Sequence, residues 1–247
     1  MIRAAALLAG ALALAGGVAR AQEGCHIVGA SYTAPTDRYP HGALGDPYEW
    51  GAMDWRTSCG RTLAITLPEE LVFEDTAPRL ADLDGDGAPE VIVVESHRDL
   101  GARLAVWAQT PDGPLRRAAT PAIGQRNRWL APLGAADLDG DGHVELAYVD
   151  RPHLARILRV WRYLPGQGLE PVAERPGLTN HRYGETAIEG GLRDCAGEVT
   201  LVLADADWRQ IMAVTLTGAG QGPGQELDAR PVGRYTAAAL EAALRCN

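Results

Sequence analysis

Residues 81–96 read ADLDGDGAPEVIVVES, and residues 136–150 repeat the same pattern as ADLDGDGHVELAYVD. Each stretch places three aspartates at alternate positions among glycines, then a glutamate within an apolar run. The two acidic strings begin at Asp82 and Asp137, which are 55 residues apart. A period of this length indicates repeated supersecondary units.

The sequence around the acidic strings repeats as well. Trp107 and Trp161 hold matching places, 54 residues apart, at the end of a second apolar run. We predict clear repeats at about 79–134 and 135–190, and degenerate repeats at about 25–78 and 191–235. The last copy begins its acidic string at Asp194 and keeps only Glu198 besides, so we expect no metal there.

Each unit has the pattern of about four short strands separated by Gly, Pro and Asp turns. Val91–Val94 is apolar at consecutive positions, which is typical of a strand buried on both faces. One such unit cannot bury both of its own faces, and this favours blades arranged around an axis. We therefore predict an all-β fold, a β-propeller-like array of about four four-stranded blades. Thr236–Cys246 is Ala-rich and is predicted to form a short C-terminal helix.

Carboxylates at alternate positions of a tight loop converge, and a hard divalent cation relieves their repulsion. Calcium takes 6–8 oxygen ligands from carboxylates, carbonyls and water, whereas magnesium keeps more water and zinc prefers nitrogen and sulfur. We predict two calcium ions, and consider acidic surface turns without a metal as the alternative. The predicted ligands are Asp82, Asp84, Asp86, the Ala88 carbonyl and Glu90 in the first loop, and Asp137, Asp139, Asp141, the His143 carbonyl and Glu145 in the second.

The loops are not EF-hands, because that motif needs a glutamate at position 12, where this chain has Val93 and Tyr148. The strings DLDGDGAPEVIVV and DLDGDGHVELAYV instead resemble the FG-GAP/VCBS repeats of the integrin alpha-subunit propeller and of many secreted bacterial proteins. The resemblance implies that the loop between the first two strands of a blade holds calcium. This chain departs from the family in having glutamate at the ninth loop position.

The N-terminal residues predict export. Met1–Arg3 is positively charged, an uncharged Ala/Leu/Gly run follows, and Ala19–Ala21 fits a small-x-small cleavage site. We predict a signal peptide at 1–21, one β-propeller-like repeat domain at 22–247, a periplasmic or extracellular location, and no membrane insertion after cleavage. Losing two basic residues takes the formal charge from −9 to −11, which argues against nucleic acid as a partner.

Four cysteines remain after that cleavage, which is an even number suited to an oxidising compartment. None of their spacings matches a zinc or redox motif, so we predict two disulfides. Three pairings are possible, and we favour Cys25–Cys59 with Cys195–Cys246.

The sequence contains no GxSxG, HExxH, P-loop or dinucleotide motif. We therefore predict a non-catalytic calcium-binding module with a protein or glycan ligand. The alternative is an exported calcium-dependent polysaccharide hydrolase or lyase. A ligand-contacting loop at Thr179–Tyr183 around His181 is a weaker possibility. The carboxylates available to an enzyme are Asp54, Glu185, Glu189 and Asp207. A carbohydrate site could be lined by Trp50, Trp55, Trp129 and Trp208, which we expect to be core residues.

Overall fold

The structure is a computed structural model, and it describes residues 24–218 and 225–246. The predicted signal peptide therefore lies outside the described residues. The described chain contains three antiparallel sheets and one helix, which confirms the all-β, propeller-like prediction. Within the described ranges, no helix is long and apolar enough to cross a membrane.

The first sheet joins the first predicted repeat to the second. It contains β1 (Ile27–Thr36), β2 (Glu49–Thr57), β3 (Thr62–Thr66), β4 (Leu71–Phe73), β5 (Arg79–Ala81), β6 (Glu90–His97), β7 (Gly101–Thr110) and β8 (Gly113–Ala119). The strand order is β1-β2-β4-β6-β7-β8, with β3 also on β2 and β5 also on β6. Trp50 of β2 pairs with Phe73 of β4, and β4 also pairs with β6, so the two expected blades merge into one sheet.

The second sheet is a four-stranded meander. It contains β9 (Leu130–Ala136), β10 (Glu145–Asp150), β11 (Ile157–Leu164) and β12 (Gly168–Pro176). The strands lie in sequence order, as expected for one blade. The first strand, β9, precedes the acidic string that we used to mark the start of the repeat.

The third sheet has five strands. It contains β13 (Leu178–Thr179), β14 (Gly191–Cys195), β15 (Glu198–Asp205), β16 (Gln210–Thr217) and β17 (Glu226–Arg234). β13 and β14 both pair with β15, so two short segments share the place of one inner strand. Only Ala196 and Gly197 separate β14 from β15, so this hairpin is much shorter than the acidic loops.

The sheets stack face to face, and their buried strands carry apolar side chains on both faces. In β10, Leu146 and Tyr148 pack toward the first sheet, whereas Ala147 and Val149 pack toward the third. In β6, alternate residues likewise divide between the interior of the first sheet and the contact with the second. Side chains alternate across a strand with a period of two, so a central strand needs a continuous apolar run.

The C-terminal helix closes the third sheet. Helix α1 (Ala237–Leu244) begins after Thr236, whose side chain accepts a hydrogen bond from the Ala239 N–H. Leu240 and Ala243 pack on Val202 of β15, and so the helix covers an otherwise exposed apolar face. The structure forms both favoured disulfides, Cys25–Cys59 and Cys195–Cys246, and leaves no free cysteine.

Candidate metal centre

The two acidic strings form equivalent hairpin loops. The first loop connects β5 to β6, and the second connects β9 to β10. A strand follows each loop, as predicted, and the ninth loop residue, Glu90 or Glu145, is the first residue of that strand. The loops border a common cleft of about 230 Å³, so they lie beside each other on one edge of the molecule.

Backbone hydrogen bonds to aspartate hold the first loop in its tight turn. Asp82 accepts from the Gly85 N–H at 2.8 Å and from the Gly87 N–H at 3.0 Å. Both glycines have positive φ angles, +74° and +85°, which other residues adopt only with strain. Asp84 and Asp86 each accept from the backbone two residues further on. The chain thus wraps around its own carboxylates.

The second loop reproduces this geometry. Asp137 accepts from the Gly140 N–H at 2.7 Å and from the Gly142 N–H at 3.0 Å. The φ angles of the two glycines are +77° and +88°, within a few degrees of those in the first loop. The repeated sequence therefore encodes a repeated conformation.

Each loop brings at least three acidic side chains close enough to share one cation. In the first loop, carboxylate oxygens of Asp82, Asp84 and Asp86 lie within 4.8 Å of one another, and these residues are exposed. In the second loop, Asp137, Asp139 and Glu145 form the corresponding group. The all-oxygen donor set suits a hard cation such as calcium.

The two glutamates anchor the loops to the core. Glu90 Oε2 accepts from the Leu83 N–H, and Glu145 Oε2 accepts from the Leu138 N–H, each at 2.9 Å. Burial raises the pKa of the Glu90 carboxyl to about 7, and the charges of Asp84 and Asp86 also raise it. A nearby cation would offset the cost of holding this carboxylate ionised.

The backbone ligands that we predicted, Ala88 and His143, occupy the seventh position of their loops. The N–H of each donates to the preceding aspartate, at 2.7 Å for Ala88 and 2.9 Å for His143. Both residues are therefore held in the turn at the predicted place. Whether their carbonyl oxygens bind an ion stays a prediction.

Sequence reasoning missed two residues that contact the second loop from elsewhere in the chain, Arg162 and Gln225. The Arg162 side chain is only 3% exposed and enters the loop from β11. Gln225 donates from Nε2 to Asp139 Oδ2. Burial alone would raise the pKa of Asp139, but hydrogen bonds from Gln225 and Arg162 help to lower it. The acidic motif itself gave no signal for either residue.

The other candidate residues are scattered. Trp55 and Trp129 are buried core residues, and the half-buried Trp208 lies under the guanidinium of Arg182, 3.6 Å from its ring centroid. Glu185 and Glu189 both pair with Arg182. Asp54 lies in β2 of the first sheet, Asp207 in the turn after β15, and Trp50 packs in the first sheet.

His181 is buried inside the molecule. Its Nδ1 lies 2.8 Å from Nε2 of His153, and its Nε2 lies 2.7 Å from the Glu185 carbonyl oxygen. Burial lowers the pKa of both histidines, for His153 to about 4. Both ring nitrogens of His181 thus have partners inside the protein. This favours a structural role for the loop over contact with a ligand.

The described chain is a β-propeller-like array of repeats, two of which carry an acidic hairpin loop that could hold a metal ion. Residues 82–148 match the family model of the FG-GAP-like repeat. The match begins at the first aspartate of the first loop and ends within β10, so it includes both loops. Residues 82–148 of the chain therefore carry an FG-GAP-like repeat. No curated protein matches the chain.

Proposed function

We propose that this chain is an exported calcium-binding repeat module that binds a protein or glycan partner and catalyses no reaction. The observation that carries the proposal is the first acidic loop, with three converging carboxylates within an FG-GAP-like repeat. No arginine among the described residues forms an ion pair with Asp82, Asp84 or Asp86. Their mutual repulsion is therefore available for a cation to relieve.

Two features support export. Both disulfides are of the kind that persists in an oxidising compartment, and each ties a terminal segment of the described chain to the body of the fold. The residues at 1–21 have the features of a cleavable signal. Calcium is plentiful outside the cytoplasm, where extracellular modules function with dissociation constants of about 10⁻⁴–10⁻³ M.

The surroundings of the loops support binding rather than catalysis. A cavity of about 340 Å³ lies beside the first loop, lined by Asp84, Asp86, Glu90 and Arg117, among others. It is partly open and has both polar and apolar lining residues, which suits recognition of a partner at the metal loop. We place the partner surface at this edge of the molecule.

The enzyme alternative has one notable polar cluster, around Glu74. This carboxylate accepts a hydrogen bond from Ser96 and lies 2.5 Å from His41 Nδ1. Ser96 and Glu74 are both fully buried, and Ser96 contacts the acid rather than a histidine base. A serine nucleophile needs an adjacent base and access to substrate, so the cluster favours a structural role.

Calcium-dependent thermal unfolding tests the metal part of the proposal. A ligand at a hundredfold excess over its dissociation constant stabilises the folded protein by about 2.7 kcal/mol per site. We expect the melting temperature to rise by several degrees between EGTA and millimolar calcium. Replacing both Asp84 and Asp86 with alanine removes ligands of the first loop and should abolish the part of the rise that this loop contributes.

The matched control is Asp112→Asn, which changes an exposed aspartate in the β7–β8 turn outside both loops. This variant should keep the full response to calcium. An unchanged melting temperature of the wild-type protein in millimolar calcium would contradict the proposal.

Two assays address the partner. A glycan array and a pull-down of extracellular proteins, each with calcium or EGTA, should reveal calcium-dependent binding. Incubation with polysaccharides in calcium should release no reducing ends and no unsaturated products. Turnover that is lost in the Asp84/Asp86 double variant would instead establish the hydrolase or lyase alternative.

A further inference from the structure

The second acidic loop already contains a cation, the guanidinium of Arg162. Its Nε donates to Glu145 Oε1 at 2.7 Å, and its Nη2 donates to Asp139 Oδ2 at 2.7 Å. The same Nη2 lies 3.2 Å from Asp141 Oδ2. Three of the four predicted carboxylate ligands of this loop are therefore paired with one arginine, whose side chain is only 3% exposed.

The carboxylates accept the same backbone hydrogen bonds in both loops, and the side-chain donors distinguish the second loop. Both oxygens of Asp137 accept backbone N–H groups, and Glu145 Oε2 accepts the Leu138 N–H. Asp139 Oδ2 receives a further hydrogen bond from Gln225. A calcium ion needs six to eight oxygens at about 2.3–2.6 Å, and in this loop it would have to displace the Arg162 and Gln225 donors. A positively charged side chain is therefore already bound to three of the four carboxylates of this loop.

Among the described residues, no arginine forms an ion pair with the carboxylates of the first loop as Arg162 does with those of the second. Glu145 faces Arg162 across the β10–β11 ladder, and the neighbouring pair is Leu146 with Trp161. In the first sheet the matching pair is Val91 with Trp107. Extending this register by one residue places Ala108, which is buried and uncharged, opposite Glu90. The two repeats thus differ at this position, where β11 carries Arg162 and β7 carries Ala108.

We propose that Arg162 takes the place of a metal ion in the second loop, so that this loop folds without calcium and the chain binds one ion, at the first loop. This inference rests on the proposed function for the first loop only. It revises the two-ion expectation, because the same acidic string is completed by a protein side chain in one repeat and left for an external cation in the other.

Calorimetric titration of calcium into EGTA-treated, desalted protein tests the inference. We expect a stoichiometry near one for the wild type and near zero for the Asp84→Ala/Asp86→Ala variant. Arg162→Ala gives the second loop the residue that the first loop has, and should raise the stoichiometry to two. Arg162→Lys keeps the positive charge and should stay near one.

Each other outcome has a definite meaning. A wild-type stoichiometry of two, or one remaining site in the Asp84/Asp86 variant, would overturn the inference, and neither result depends on changing Arg162. No binding by the wild type together with one site in Arg162→Ala would support the role of Arg162 in the second loop and overturn the first-loop site. No binding in either protein would overturn both. Circular dichroism in EGTA and in calcium reports folding, and recovery of Arg162→Ala by calcium alone would support the substitution of metal by arginine.

Discussion

Two buried glutamates of the first sheet meet opposite electrostatic surroundings. Glu95 is fully buried and accepts hydrogen bonds from Arg103, Trp107 and Arg116. Glu49 is 2% exposed, and no arginine of the described chain forms an ion pair with it. Burial, followed by the negative charge of Glu74, raises the pKa of Glu49 to about 10. Glu49 is therefore protonated at neutral pH.

The raised pKa predicts how stability depends on pH. Below the ordinary pKa of 4.5 the carboxyl is neutral in both the folded and the unfolded protein, and burial costs little. As pH rises toward the folded pKa, only the unfolded protein ionises, so the free energy of unfolding falls. Glu49→Gln removes this penalty and should stabilise the protein by about 1–2 kcal/mol at pH 8, with a much smaller gain at pH 5.

Denaturant unfolding at the two pH values measures the effect, and Glu95→Gln is the matched control. This second variant leaves two arginines without their buried partner and should cost about 3–5 kcal/mol. A Glu49→Gln variant that is less stable than the wild type at pH 8 would show that this carboxyl is ionised and paired.

At the scale of elements, the C-terminal helix depends on its cap and on its apolar contact with β15. Thr236 is the N-cap, and its hydroxyl accepts the Ala239 N–H at 3.0 Å. Eight residues form a helix too short to be stable alone, so these contacts determine whether it forms. The helix also brings Cys246 to Cys195.

Replacing Thr236 with alanine should lower the free energy of unfolding by about 1 kcal/mol, because one N-terminal N–H loses its acceptor. Thr236→Ser keeps the hydroxyl and should stay close to the wild type. Chemical denaturation monitored by circular dichroism compares the three proteins. Equal losses in both variants would assign the effect to the threonine methyl group instead of the cap.

At the scale of the whole molecule, the two disulfides fix the termini of the described fold. Cys25–Cys59 links residues 34 apart, and Cys195–Cys246 links residues 51 apart. Such cross-links stabilise mainly by restricting the unfolded chain, by about 3–4 kcal/mol for loops of this size. Neither pair lies in an acidic loop, so their removal should leave calcium binding intact.

We therefore expect each cysteine pair, when replaced with alanine, to lower the free energy of unfolding by about 3–4 kcal/mol in denaturant titrations. The calcium stoichiometry of the folded variants should not change. A loss of well under 1 kcal/mol for either pair would show that the corresponding terminus contributes little to the cooperative fold.

The sequence predicted the features that depend on local pattern. The strands around each acidic loop, the short helix and the pairing of neighbouring cysteines follow from turns, periodicity and spacing. It could not predict the pairing of Trp50 with Phe73, because a single contact between distant segments has no local signature. Arg162 was missed for a related reason: its role depends on cross-strand register, which places it opposite Glu145.

A crystal structure of the protein grown in millimolar calcium tests the central claim most directly. We predict electron density for one ion coordinated by Asp82, Asp84, Asp86 and Glu90, with Arg162 still hydrogen-bonded to Glu145 and Asp139. An ion within the loop of Asp137, with Arg162 turned away from the carboxylates, would contradict this account.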